Sequence, residues 1–81
     1  MSDNYNKIKS VISEKFGVTE NLITPEAKLT DDLNLGYLEI ADLLSIMAKE
    51  FKFHLPEDIN LENISTVADI TSLVEQYADD L

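Results

Sequence analysis

Side chains that could take part in catalysis are few and scattered along this sequence. The single histidine, His54, lies between Phe53 and Leu55 just before Pro56, and no local motif links it to a serine or cysteine with a companion acid. A structural histidine at the edge of the core explains this placement better than a catalytic one. The paired carboxylates lack the alternating oxygen-ligand spacing and the central glycine of a calcium loop. These pairs are Asp31-Asp32, Glu57-Asp58 and Asp79-Asp80. We therefore expect no catalytic residues and no metal site, and we predict that the protein is not an enzyme.

The length and composition predict one small domain over residues 1–81, with one modest core. The sequence has no cysteine and no tryptophan, so packed aliphatic side chains must supply its stability. Its start does not resemble an export signal, and its apolar stretches are interrupted after a few residues. These features predict a cytoplasmic protein without a membrane span.

The charge of the chain is strongly one-sided. Six basic and sixteen acidic residues give a formal net charge of −10. Such a charge repels nucleic acid phosphates and anionic membranes, so we expect the chain to bind neither. Basic protein surfaces are the natural partners, although the charge can also serve only to keep the domain soluble. A third interpretation, an acidic decoy that imitates nucleic acid, is less attractive because the central segment is apolar.

The first half of the chain predicts one helix and a long connection. Apolar residues at helical spacing predict an amphipathic helix over Asp3–Phe16. Ser2 or Asp3 can cap its start, and Gly17 stands where a left-handed C-terminal cap is expected. The connection Val18–Leu35 is rich in turn-forming residues but has too many apolar side chains for a free linker. We expect it to pack on the core.

A central helix with a wide apolar face is predicted over Tyr37–Phe51. Glu39 and Asp42 lie three residues apart, so both project to the same side near its positive N-terminal end. After Pro56, the segment Glu57–Asn63 predicts a brief acidic turn or a short helix.

The last helix is marked by a capping box. Thr66 and Asp69 have the spacing of this motif, and apolar residues continue at helical spacing from Val67 to Tyr77, before a frayed tail at residues 79–81. Together the elements predict an all-α four-helix bundle, with three longer helices, one short helix and a long loop between the first two.

The order of these elements resembles that of the acyl carrier protein family, and several short sequence blocks are similar to the family's pattern at matching spacing. Each block alone is weak, but together they extend the resemblance over practically the whole chain. The blocks are Asp31-Asp32-Leu33, Leu38-Glu39, Glu50-Phe51, Leu55-Pro56 and Ile64-Ser65-Thr66-Val67.

The resemblance breaks at the attachment site. In this family an Asp-Ser-Leu motif opens the central helix, and its serine hydroxyl receives 4′-phosphopantetheine from coenzyme A. The matching residues here are Gly36, Tyr37 and Leu38. A phenol oxygen lies about 4 Å farther from its backbone than a serine oxygen, and a misplacement of about 1 Å can cost a hundredfold in rate. Ser45 is two helical turns downstream, mid-helix, and is a poor substitute. We therefore expect no prosthetic arm and no other cofactor.

The resemblance also implies which residues meet partner proteins. Family members offer acidic residues around the central helix to basic patches on carrier-recognising enzymes, which steers encounter and sets register. The alternative is a merely solvated helix face. The positions that match here are Asp31, Asp32, Glu39 and Asp42.

Tyr37 completes this predicted partner-binding set and has two interpretations of its own. It can cover the apolar end of the bundle, or it can plug the mouth of an acyl cavity or fill a partner's pocket as an aromatic anchor.

Two functions follow from these observations. The replacements at Gly36 and Tyr37 favour a monomeric carrier-like domain without its arm, which acts as an interaction module for carrier-recognising enzymes. Alternatively, the whole-chain resemblance favours a working acyl or aminoacyl carrier in fatty acid, polyketide or cell-envelope biosynthesis, with an unusual attachment site.

Overall fold

The computed structural model describes residues 3–78, and over this range it has the predicted all-α fold. The α-helices are α1 at Asp3–Phe16, α2 at Tyr37–Phe51 and α3 at Val67–Tyr77, and 3-10 turns lie at Glu20–Leu22 and Leu61–Asn63. Each α-helix has the bounds expected from the spacing of its apolar residues. Ser2 and the predicted frayed tail at residues 79–81 lie outside the described residues.

The short fourth element is a 3-10 turn and not an α-helix. It covers only Leu61–Asn63, and the side-chain oxygen of Asn60 accepts a hydrogen bond from the Glu62 N–H at 3.0 Å. So short a segment cannot recover the cost of nucleating an α-helix, whereas a 3-10 turn needs only one or two bonds. Of the two alternatives for Glu57–Asn63, the turn is therefore the one that forms.

The core is built from one face of each helix together with the long connection between α1 and α2. The connection buries Ile23, Leu29, Leu33 and Leu35 almost completely, which confirms that it packs on the core. Among the described residues the buried side chains are hydrophobic, and they include Tyr5 with its hydrogen-bonded hydroxyl. The helices contribute the remaining large fully buried side chains, namely Ile8, Ile12, Leu43, Leu44, Met47, Val67, Ile70 and Val74.

Hydrogen bonds join the long connection to α1 and to the start of α3. The buried Tyr5 hydroxyl on α1 donates to the Ile23 carbonyl at 2.8 Å. On the other side, the Leu29 N–H donates to the Ser65 carbonyl at 2.9 Å, and the Val67 N–H donates to a carbonyl of the connection at 3.0 Å. This last bond satisfies one of the N–H groups that the start of a helix leaves without an intrahelical partner. The connection therefore holds a defined path across the bundle.

Both predicted end signals are present. Gly17 has φ +71°, and its N–H donates to the Ser13 carbonyl at 3.0 Å, as expected for a left-handed cap at the end of α1. At the start of α3, Asp69 Oδ2 accepts the Thr66 N–H at 2.9 Å, and Thr66 Oγ1 accepts the Asp69 N–H at 3.2 Å. The same Asp69 oxygen also accepts the Ser65 N–H at 2.8 Å. The capping box is therefore reciprocal and carries one additional bond.

This arrangement shifts the pKa of Asp69. Partial burial raises the pKa, but hydrogen bonds from the Thr66 and Ser65 backbone and from the Thr66 side chain outweigh it and leave the pKa below its ordinary value. A carboxyl whose folded-state pKa is lowered stabilises the protein fully above its unfolded pKa of about 3.9. That stabilisation is lost as the pH falls through the folded-state value.

Asp69→Ala is therefore expected to lower the free energy of unfolding by about 1–2 kcal/mol at neutral pH, because it removes charge-assisted bonds to two backbone N–H groups. The difference from the natural chain should shrink as the carboxyl is protonated. Urea denaturation from neutral pH to about pH 2 measures both effects. Asp58→Ala, at an exposed position, is the matched control. A loss that stayed constant over this range would contradict the assignment.

Candidate functional site

The start of α2 has only one of the two hydrogen bonds of a capping box. Gly36 has an extended backbone, with φ −83° and ψ 176°, and its N–H donates to Glu39 Oε1 at 2.7 Å. Glycine has no side chain that could accept the Glu39 N–H in return, so only half of a capping box is formed. A Cβ added at Gly36 would lie 3.5 Å from Glu39 Oε1, an ordinary contact. An L-residue such as aspartate or serine therefore fits this backbone.

Tyr37 is the first residue of α2 and stands largely in solvent. Its side chain is 66% exposed, and that of the neighbouring Leu38 is 79% exposed. A residue that covered the apolar end of the bundle would lose most of its exposed surface. The geometry therefore favours a ring that is available to another molecule.

A groove of about 420 Å³ lies beside Tyr37, and we call it the Tyr37 groove. Three separate segments meet there: the long connection, the start of α2, and the chain around the Leu61–Asn63 turn. Its lining consists of Lys28, Thr30, Asp31, Tyr37, Ile40, Leu61, Glu62, Ile64 and Ser65.

The four acidic residues of the predicted partner-binding set are all exposed, but the structure distinguishes them. Asp31 lines the Tyr37 groove. Asp32 Oδ2 accepts the Lys28 N–H at 2.8 Å, and Glu39 accepts the Gly36 N–H. One oxygen of each of these two carboxylates therefore has a local structural role, and the second is left for a partner. Asp42 lies farther along the exposed side of α2.

Most of the groove lining was not predicted from the sequence as a binding surface, namely Lys28, Thr30, Ile40, Leu61, Glu62, Ile64 and Ser65. These residues belong to segments that are far apart in the chain, and none of them falls in a local motif for binding. The pairing of Lys28 with Thr66 across the loop brings the segments together. Of the groove lining, only Asp31 and Tyr37 belong to the predicted partner-binding set.

Within residues 3–78, the other candidate residues do not assemble into a catalytic or metal site. His54 is exposed, and so is Ser45 on α2. Over residues 3–78, no group of three or more His, Cys, Asp or Glu side chains is placed to hold a metal ion. Within the same range, none of the helices has the length and apolar character needed to cross a membrane.

Comparison with known proteins identifies the family. No protein-family model matches the chain. The chain is 47% identical over 72 residues to the acyl carrier protein of Thermotoga maritima. This match covers 89% of this chain and 88% of that protein. It is 38% identical over 80 residues to the acyl carrier protein of Karelsulcia muelleri, and this match covers 99% of this chain and 95% of that protein. The chain belongs to the acyl carrier protein family.

The resemblance to ordinary acyl carrier proteins implies that Gly36, Tyr37 and Leu38, where α2 begins, stand in place of the Asp-Ser-Leu motif whose serine holds 4′-phosphopantetheine. Tyr37 offers a phenol at the far end of an exposed ring, and Gly36 offers no carboxylate. A transferase that aligns a serine oxygen close to the backbone meets a different atom at a different distance. With this correspondence of positions, the residues present do not fit the group as ordinary members hold it.

Proposed function

We propose that this member of the acyl carrier protein family is an interaction module without a phosphopantetheine arm. It is a monomeric, cytoplasmic domain with no catalytic activity of its own, and carrier-recognising enzymes bind it. The observation that carries the proposal is the Gly36-Tyr37 pair at the start of α2, where the attachment residues of the family belong.

The exposure of the site supports a role in binding. Tyr37 and Leu38 place two large apolar side chains in solvent at the start of α2. Aromatic residues are frequent anchors of protein interfaces, because a rigid ring buries a large area at a small entropic cost. Tyr37 would supply such an anchor where other members carry their arm.

The charge of the surface supports a basic partner. The carboxylates of Asp31, Asp32, Glu39 and Asp42 are exposed in the segment before α2 and in its first half, in a chain with a net charge of −10. Complementary charges across an interface accelerate encounter and reject wrong partners more than they add affinity. Lysine-rich or arginine-rich patches on carrier-recognising enzymes would meet this surface.

A working carrier is the second candidate, and the high identity to proteins named acyl carrier protein favours it. Such a carrier would serve fatty acid, polyketide or cell-envelope biosynthesis and would need a covalently attached arm. Tyr37 has a nucleophilic hydroxyl and would be the attachment site to examine first.

The intact mass of the protein purified from its own cells distinguishes the two candidates. We expect the mass of the unmodified chain. The transferase would meet a phenol in place of the serine hydroxyl and would find no carboxylate at position 36. A conventional acyl carrier protein isolated by the same procedure is the control, since it should retain its arm. A phosphopantetheine adduct on this chain would overturn the proposal and support the working carrier.

A further inference from the structure

The segment that follows α2 is held in place by few directional contacts. Residues 54–59 make no hydrogen bond of good geometry and no ion pair to the rest of residues 3–78. Leu55 and Ile59 in this segment are half-buried and pack against the core. Residues 53–60, which we call the strap, therefore depend on side-chain packing for their position.

The strap begins at a residue with a left-handed backbone. Lys52 has φ 58° and ψ 53°, and its N–H and that of Phe53 both donate to the Ala48 carbonyl, the latter at 3.0 Å. These bonds close the end of α2, but the left-handed position is normally taken by glycine, as Gly17 does after α1. A lysine is strained there because its Cβ lies too close to the backbone. Rotation of the chain at Lys52 would relieve this strain.

The contacts on the two sides of Lys52 are made with different helices. Before it, the Nζ of Lys7 on α1 lies 5.3 Å from the centre of the Phe51 ring. After it, the Phe53 ring stacks on Tyr77 of α3, with 6.1 Å between the ring centres and 19° between their planes. The end of α2 can therefore stay joined to α1 while the strap separates from α3.

A groove of about 240 Å³ lies between the strap and α3. Ile59 and Asn60 line it on the strap, and Leu73 and Tyr77 line it on α3. Tyr77 therefore lines the groove and also holds the strap through its ring stack. Separation of the two rings would widen this groove without breaking a hydrogen bond within α2 or α3.

We propose that the strap is a conformational device, which moves away from α3 as one unit by rotation at Lys52 when Phe53 separates from Tyr77. The strain at Lys52 favours the open form, whereas the ring stack and the packing of Leu55 and Ile59 favour the closed form. Such an opening costs less free energy than global unfolding, because the helices stay formed. A molecule that binds better to the widened groove would shift the chain toward the open form.

Digestion of the full-length chain by thermolysin under native conditions tests this proposal. Thermolysin cleaves before large apolar residues, so the open strap offers the bonds before Phe53 and Ile59. Within residues 3–78, we expect the first cut at one of these bonds, at a rate that changes little with urea below the unfolding transition. Cleavage through global unfolding would instead accelerate steeply with urea. Mass spectrometry of the fragments locates each cut.

Two variants and a matched control assign the opening to the strap, with the rate measured at the bond before Ile59. Lys52→Gly should slow this cut about fivefold, because glycine removes the strain that favours opening. Tyr77→Ala should accelerate it about tenfold, since the ring stack is lost. Asn34→Gly is the control, because Asn34 also has a positive φ, of 61°, but lies in the long connection. It should leave the rate nearly unchanged.

The amide spectrum and the urea midpoint of each variant show whether the fold is retained. A first cut within the long connection would overturn the proposal, as would a rate that follows global unfolding. Equal changes for Lys52→Gly and Asn34→Gly would also overturn it, because the effect would then not belong to the strap. Lys52→Gly alone is a sufficient test if Tyr77→Ala does not fold.

Discussion

The double variant Gly36→Asp, Tyr37→Ser is expected to accept one 4′-phosphopantetheine arm, whereas the natural chain accepts none. It restores the attachment motif at the start of α2, with Leu38 already in place. The extended backbone of Gly36 and the ordinary 3.5 Å contact of an added Cβ mean that aspartate fits without a change in the fold. The aspartate can also accept the Glu39 N–H and complete the N-terminal cap. Intact mass after incubation with coenzyme A, magnesium and a broad-specificity phosphopantetheinyl transferase measures the result.

The single variants Gly36→Asp and Tyr37→Ser separate the two replacements. We expect Gly36→Asp alone to remain unmodified, because the phenol stays at the attachment position. Tyr37→Ser alone should gain the arm slowly if the serine is sufficient and the aspartate only assists. An arm on the natural chain would refute the proposed loss of attachment, and tandem fragmentation would then locate the site. An unmodified double variant would show that the recognition surface has diverged together with the motif.

Ile70→Ala is expected to destabilise the fold severely. Ile70 is fully buried on α3, the helix that packs against both α1 and α2. Truncating such a side chain typically costs about 2–5 kcal/mol, from lost burial and the cavity left behind. A domain of this size has a total stability of only about 4–12 kcal/mol, and no disulfide supports it. Urea denaturation followed by far-ultraviolet circular dichroism should show a large fall in the midpoint.

Leu38→Ala is the control for Ile70→Ala, because it removes a similar side chain that is 79% exposed. Its expected effect is within about 0.5 kcal/mol, as for most surface substitutions. A loss of less than about 1 kcal/mol for Ile70→Ala would mean that the core relaxes around the cavity, and the packing described above would then be wrong at this position.

The helices of this protein could be predicted from the sequence because their signals are local. Gly17 marks the end of α1, and Thr66 with Asp69 marks the start of α3, and each acts through bonds to backbone groups within four residues. The spacing of apolar residues predicted how far each helix extends. For the segment that contains the Leu61–Asn63 turn, the sequence is compatible with either a turn or a short helix. In so short a segment neither the spacing of apolar residues nor the capping residues distinguish the two.

The candidate site was predictable only in part. The proposed departure at Gly36 and Tyr37 rests on the sequence alone, because the blocks on either side resemble the family's pattern with no gap between them. The local roles of Asp32 and Glu39 were not expected, since a carboxylate at the end of a loop or the start of a helix can face either a partner or its own backbone. Whether such a carboxylate faces a partner or its own backbone depends on the path of the surrounding chain.

By itself, the sequence determined the three helices and the acidic surface, and it is the basis of the proposed replacement of the attachment residues, because each depends on residue types and on neighbours along the chain. The tertiary structure alone decided that Tyr37 stands in solvent beside a groove, and that Lys28 and Glu62 share its rim. Those features depend on how the long connection crosses the bundle and pairs with the start of α3. Contacts between segments so far apart are selected by the packing of the whole core, and no local pattern in the sequence specifies them.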